Sequence, residues 1–367
     1  GPLPLPIIGN THLLPDRKPW IYFESLSKTY SSPIITFWIG RSPTIWLNDS
    51  TTASTLLDKR AATFSSRPHM IVFGDLGFDQ SSLVSMKYGP RFRVHRKLTH
   101  LGVGTQQVRN YQSLQSDENK VVLKDLLSEN GVKNWEAHLE RYAASVVSII
   151  GFGRRIGSID DPIIVEVIRL MQKAAEHNVP GKSFPMLMET FPCRYFSILL
   201  RECGVVADMM RKGLAKFPRW VPWMKDFRKP RGRNFFYALA KEAADNEDRD
   251  SYCKTLWAQK EKYDLSDLEF SSLAGSLFGA GSDTSSSTLI TFVLACCAFP
   301  EVLPKAWEEL DRVVGHHRSP TFEDEPNLVY VKALVKEVLR WRSVAVIGGQ
   351  PHAPIQDEIY EVRMREM

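Results

Sequence analysis

The feature that most constrains this chain is one long helical stretch, Ser266 to Phe299, with two glycines near its middle. Ser266 followed by Glu269 makes a capping-box start, and helical periodicity carries the segment on to Phe299. Its centre reads Phe278-Gly279-Ala280-Gly281-Ser282-Asp283-Thr284-Ser285. Each mid-helix glycine costs about 1 kcal/mol relative to alanine, so a gain elsewhere must offset the pair. One reading is a ligand brought close to the backbone. Thr284 would then bond back to the carbonyl four residues earlier and bend the helix, and an acid and an alcohol would pass protons into a buried pocket. The other reading is a plain helix that uses small residues for close packing. Spacing alone leaves both open.

Two further constellations stand out. Glu337-Val338-Leu339-Arg340 lies in an amphipathic helix, Leu328 to Trp341, and its acid and base three apart share one face. Spacing alone favours a surface ion pair of small worth. In Tyr88-Gly89-Pro90-Arg91-Phe92-Arg93-Val94-His95-Arg96-Lys97, five basic side chains fall within seven positions. They suit a carboxylate or phosphate partner and equally suit a solvated helix face.

A net charge of +5 over 367 residues is too thin for a dedicated nucleic-acid binder and is compatible with an acidic partner or an anionic membrane surface. Cys193, Cys203, Cys253, Cys296 and Cys297 form no CxxC pair and no zinc spacing, which reads as free thiols in a reducing compartment. No GxGxxG follows a strand, and the longest apolar run, Leu289 to Phe299, is too short to span a bilayer.

The remaining pattern is mainly α with a small β subdomain. Ile34–Ile39 and Thr44–Leu47 flank Gly40-Arg41-Ser42-Pro43 as a hairpin, and Ser50 to Lys59 is a helix capped by Asp49 or Ser50. Trp135, Leu139, Tyr142, Val146 and Ile149 recur at helical spacing, as does Ile163 to Ala175. Residues 178–234, with a basic run from Lys225 to Arg233, read as loop and short helices. Glu301 to Val314 is another amphipathic helix, and extended chain follows Ser343.

In this order and context, the motifs resemble those of the cytochromes P450. Ala280 to Ser285 is similar to that family's oxygen-binding helix, Lys336 to Arg342 to its Glu-x-x-Arg helix, and Pro300 to Gly315 to the helix between them. Pro351-His352-Ala353 resembles its Pro-His element, and Gly1 to Asn10, rich in proline, resembles the hinge after a microsomal anchor. The resemblance covers nearly all of the chain and is nearest to fungal microsomal members. It implies a single domain over 1–367, with the β subdomain in 1–80, the helical part in 81–342 and a tail in 343–367.

The resemblance further implies haem b as cofactor, electrons from NADPH through a flavoprotein reductase, and insertion of one oxygen atom from dioxygen into a small apolar molecule. Asp283 and Thr284 would deliver protons, Ala280 and Gly281 would lie over the haem face, and Arg96 and His352 would bond the propionates. Glu337 and Arg340 would be a buried structural pair, and Phe278 with Val344, Ala345, Val346 and Ile347 would line the substrate pocket. It also implies the cytoplasmic face of the endoplasmic reticulum membrane, given an anchor upstream.

Four departures from the pattern qualify this. Phe92 stands where the family has tryptophan, so an indole hydrogen bond to a propionate is missing. Ser343 replaces a proline, and Ile347-Gly348-Gly349-Gln350 is one residue longer than usual. The Phe-x-x-Gly-x-x-x-Cys-x-Gly loop that holds the iron does not occur before Met367. A truncated or frame-shifted product, impaired in oxygen activation, is therefore expected. The rival readings are a non-catalytic ligand-binding remnant and an unrelated helical interaction protein.

Overall fold

The structure is a computed structural model and describes residues 1–6, 8–15, 18–69, 81–128, 131–167, 169, 231–346 and 350–360. Of the expected loop region 178–234 and its basic run, residues up to 230 lie outside these residues, and 231–234 instead open a helix. Residues 170–175 of the expected helix Ile163 to Ala175, Cys193, Cys203 and Ile347 also lie outside. The chain divides into two compact units, residues 1–93 with 172–231 and 347–367, and residues 94–171 with 232–346.

In the first unit, helix α1 (Pro19–Thr29) packs on the hairpin of β1 (Ile34–Ile39) and β2 (Ser42–Leu47). Phe23 joins them, stacked on Trp46 at 3.5 Å and edge-on to Phe37 at 5.1 Å. The expected four-residue loop shrinks to two residues, because pairing continues to Ile39 opposite Ser42. Gly40, at φ +59°, makes that tight reversal possible. Pro43 is tolerated opposite Trp38 because β2 is an edge strand among the described residues.

Asp49 caps α2 (Ser50–Ala53) by accepting from Thr52 N–H at 2.9 Å. The helix then widens to π geometry over Ser54–Lys59, and α3 (Ala61–Phe64) follows. The extended stretch 350–360 returns to this unit. Ala353 pairs with Ser66, Ile355 N–H donates to the Thr63 carbonyl, and Arg60 reaches Glu358 at 2.6 Å.

The second unit is a helical bundle. It contains α4 (Pro90–Val103, from its fifth residue on), α5 (Thr105–Asn110), α6 (Gln112–Leu126) and α7 (Trp135–Phe152). After these come α8 (Arg231–Asp245), α9 (Tyr252–Gln259), α10 (Asp267–Ala298), α11 (Val302–Val313) and α12 (Val329–Trp341). Leu98, Phe152, Ile156, Phe236, Leu256, Phe270, Leu273 and Phe278 are among its core.

Helix α10 runs unbroken through its glycines and starts with the capping box the sequence announces. Helix α7 ends at Gly153, whose φ of +68° gives the left-handed cap that favours glycine. Helix α12 has no cap of its own; the Glu309 carboxylate of α11 accepts from Tyr330 and Val331 N–H, each at 2.9 Å, and against the upward pull of desolvation these bonds, with Arg312, hold its carboxyl below the usual carboxylate range. Mainly α with one small sheet is thus the architecture, as the sequence implies. No single helix among the described residues is long and apolar enough to cross a membrane.

Candidate functional site

The centre of α10 divides its side chains between two faces. Ala280, Asp283 and Thr284 share one face and are exposed. Thr284 Oγ1 donates to the Ala280 carbonyl at 2.6 Å, and Thr288 repeats the bond to the Thr284 carbonyl at 2.8 Å. Ser282 donates likewise to the Phe278 carbonyl at 2.8 Å. These hydroxyls are satisfied by the backbone, so this polar stretch keeps its helical bonds.

Gly281 faces the other way. A Cβ built there would lie 2.3 Å from Val147 Cγ1 of α7. The close approach that the glycine permits is therefore to a neighbouring helix, and the packing reading of the sequence holds at this position. Gly281→Ala is expected to push α7 and α10 apart and to destabilise by about 1–3 kcal/mol, and Val147→Ala in the same chain should recover most of the loss. Urea midpoints of the single and double variants check this.

Phe278 is 1% exposed, packed against Phe152 and Phe236 at ring distances of 5.8 and 6.4 Å. It is a core side chain here, where a pocket wall was expected. The reason is its position: it lies one turn before the exposed face, towards the bundle interior. Val344, Ala345 and Val346 form an exposed turn after α12, so burial does not gather them round a cavity. Glu337 and Arg340 do pair, bidentate at 2.6 and 2.8 Å, but their side chains are 56% and 71% exposed. The expected burial of that pair is corrected: Val338 between them takes the inward position.

On α4 the five basic residues do not form one face. His95 is fully buried and bonds Glu269 of α10 at 3.0 Å. Arg93, Arg96 and Lys97 are exposed. Lys97 lies over the Tyr263 ring at 5.5 Å, while the Arg96 side chain makes no ion pair or hydrogen bond among the described residues. Phe92 leans on Tyr88 at 5.5 Å.

In the first unit, His352 Nδ1 lies 2.7 Å from the Phe64 carbonyl. A carbonyl only accepts, so Nδ1 carries the proton and Nε2 is left for another partner. Sequence reasoning passed over Arg67, which donates to the Gln350 and Pro351 carbonyls at 2.6 and 3.1 Å and so holds the Pro-His turn in place. Burial lowers the proton affinity of its guanidinium. No short motif marks Arg67, because its partners lie far along the chain.

Glu140 of α7 is a half-buried carboxyl whose proton affinity is raised by burial, then by its neighbours Glu136 and Asp283. Asp283 therefore lies in an acidic neighbourhood on that side of α10.

In the second unit, the exposed Arg96 guanidinium, without an ion pair among the described residues, suits a carboxylate; in the first unit, His352 is an imidazole oriented by one bond. The described thiols do not suit the iron. Burial pushes the Cys253 thiol far up, whereas a ligand must be deprotonated. Cys296 and Cys297 lie about 20 Å along α10 from Thr284 at ~1.5 Å per residue. The residues present fit a haem's carboxylate, through Arg96, and no thiol among the described residues fits its iron.

Comparison with known proteins identifies the family. The sequence profile of the family "Cytochrome P450" matches residues 1–359. A cytochrome P450 monooxygenase of Armillaria gallica is 32% identical over 98% of this chain, and cytochrome P450 monooxygenase 58 of Postia placenta is 32% identical over 98%. Cytochrome P450 monooxygenase polD of Polytolypa hystricis is 30% identical over 98%. The chain spans 65% of the length of the first two relatives and 66% of the third. With the profile matched along almost all of its length, the acid–alcohol pair on α10 and the Glu-x-x-Arg pair on α12, the chain belongs to the cytochrome P450 family.

Proposed function

We propose that this protein acts as a haem-dependent monooxygenase that inserts one oxygen atom into a small apolar molecule, of a secondary-metabolite or xenobiotic type. Electrons would come from NADPH through a flavoprotein reductase. The observation that carries this reading is the exposed face of Ala280, Asp283 and Thr284 on an unbroken helix. A bound haem would supply the centre at which dioxygen is reduced.

The chain's own residues have separate tasks. Arg96 would hold a carboxylate by a charge-assisted hydrogen bond, and the family resemblance gives His352 the same role. Ala280 offers no bulk against a flat ligand. Asp283, open to water, exchanges its proton with solvent. Thr284 Oγ1 spends its own proton on the Ala280 carbonyl, so its lone pairs can accept a hydrogen bond from water on the exposed face. Together they order water and move protons towards the reacting side. Phe278 and Glu337–Arg340 support this scaffold without touching the chemistry.

Given an anchor upstream, the same reading would put the protein at the cytoplasmic face of the endoplasmic reticulum membrane. In support, the first unit exposes Leu3, Leu5, Trp20, Ile21 and Ile45. Apolar side chains of this size in water mark interaction surfaces when they gather.

The test is product formation by the reconstituted system with a panel of apolar substrates. Asp283→Asn and Thr284→Ala are each expected to lower turnover about 100-fold while haem absorbance stays as in the parent. Unchanged turnover in both variants would remove them from the proton path. Were the non-catalytic reading correct, haem and ligand would bind and the parent itself would form no product.

A further inference from the structure

We propose that His95 is a positioning residue for Arg96: its buried bond to Glu269 fixes the rotation of α4 against the start of α10 and so aims the Arg96 guanidinium at a porphyrin carboxylate. This deepens the haem reading above and rests on it. His95, Arg96 and Glu269 all belong to the second unit.

Helix α4 has two faces. His95, Leu98 and Gly102 are buried, and Arg93, Arg96, Lys97 and His100 are exposed. Consecutive residues are about 100° apart around a helix, so the direction of Arg96 follows directly from that of His95. The packing at Leu98 is apolar, and apolar packing has little directional preference. Gly102 sets how closely α4 approaches its neighbours, since a Cβ there would lie 2.1 Å from the Tyr252 ring, and Tyr111 OH donates to its carbonyl at 2.7 Å.

The His95 bond adds direction at the other end of the helix. Its acceptor is itself immobilised. Glu269 Oε2 accepts from Ser266 N–H at 3.0 Å and from Ser266 Oγ–H at 2.8 Å, as half of the capping box that starts α10. Glu269 Oε1 is thereby presented to His95 Nε2 at 3.0 Å. A carboxylate only accepts, so Nε2–H is the donor. The capping box thus serves two purposes: it begins α10 and it anchors α4. A fully buried imidazole is expensive to keep in a core unless it is bonded, and this one stands immediately before the cation whose aim matters.

The test uses zinc protoporphyrin IX and its dimethyl ester, which lacks free carboxylates, with binding to the full chain followed by fluorescence. The parent is expected to prefer the free acid. His95→Leu should weaken free-acid binding about tenfold, the worth of one hydrogen bond to a charged group, and leave ester binding unchanged. His95→Gln, whose amide can still donate to Glu269, should recover most of the loss. In an Arg96→Ala background, His95→Leu should add nothing.

Equal losses for the acid and the ester, or effects of His95→Leu and Arg96→Ala that simply add, would overturn the positioning role and leave the haem reading standing. A parent that binds neither probe would overturn the haem reading itself. If His95→Leu does not fold, His95→Gln and Arg96→Ala against the two probes still decide the matter: a glutamine variant that loses acid and ester binding alike counts against the proposal.

Discussion

Arg141→Leu is expected to destabilise the second unit by about 3 kcal/mol, because it removes one of the two guanidinium partners of a buried carboxylate and a donor to the buried Ile156 carbonyl. Arg141 is 1% exposed and Glu118 is 0% exposed. The guanidinium reaches Glu118 Oε2 at 3.3 Å, the Ile156 carbonyl at 3.1 Å and Asp125 Oδ2 at 3.2 Å. Without it, Glu118 keeps the half-exposed Arg155 at 2.5 Å as its cation among the described residues, and the Ile156 carbonyl loses the Arg141 donor. The double variant Arg141→Leu with Glu118→Leu should be more stable than Arg141→Leu alone, since an apolar pair leaves no bare charge. Urea unfolding followed by circular dichroism measures both. A loss under about 1 kcal/mol for the single variant would show that water reaches Glu118.

The second large effect concerns Phe278. Phe278→Ala is expected to cost about 3–5 kcal/mol, as for other aromatic truncations in a packed core. The ring is wedged between Phe152 and Phe236 and has almost no contact with solvent. Thr284→Ala, less than two turns further along the same helix but exposed, should change stability by no more than about 0.5 kcal/mol. A side chain that lines a ligand cavity would behave differently. Its truncation would alter ligand affinity and spare the urea midpoint. Comparing these two variants therefore separates structure from chemistry along one helix.

These two sites also show what sequence can and cannot reveal. The start of α10 was legible because a capping box is local: Ser266 and Glu269 are three residues apart and satisfy one another. The hairpin was legible for the same reason, apart from its turn, where pairing of Ile39 with Ser42 took two residues from the loop. The Glu337–Arg340 pair was legible from its spacing, but its exposure depends on what else packs near α12, which spacing does not contain.

The polar contacts that organise the second unit were not legible. His95 meets Glu269 across 174 positions of chain, and Arg141 meets Glu118 from one helix to the next. Periodicity assigned neither pair, because a helical face can be inferred from one segment and its partner cannot. Gly281 left two readings open in the sequence; the position of Val147 decides for packing. Phe278 looks the same in sequence whether it faces a pocket or a core. The extended pattern after Ser343 was legible, but its pairing with residues 63–67 was not, since the edge it joins lies nearly 300 positions earlier.

The haem function proposed above gives Arg96 of the second unit a carboxylate contact and, by the family resemblance, gives His352 of the first unit the same role. The most direct measurement is a titration of the purified protein with haemin, followed by the Soret absorbance. Saturation at one haemin per chain is expected, with affinities weaker by about tenfold for Arg96→Ala and for His352→Ala. Absorbance that rises without saturating, or saturates equally in the parent and both variants, would contradict it.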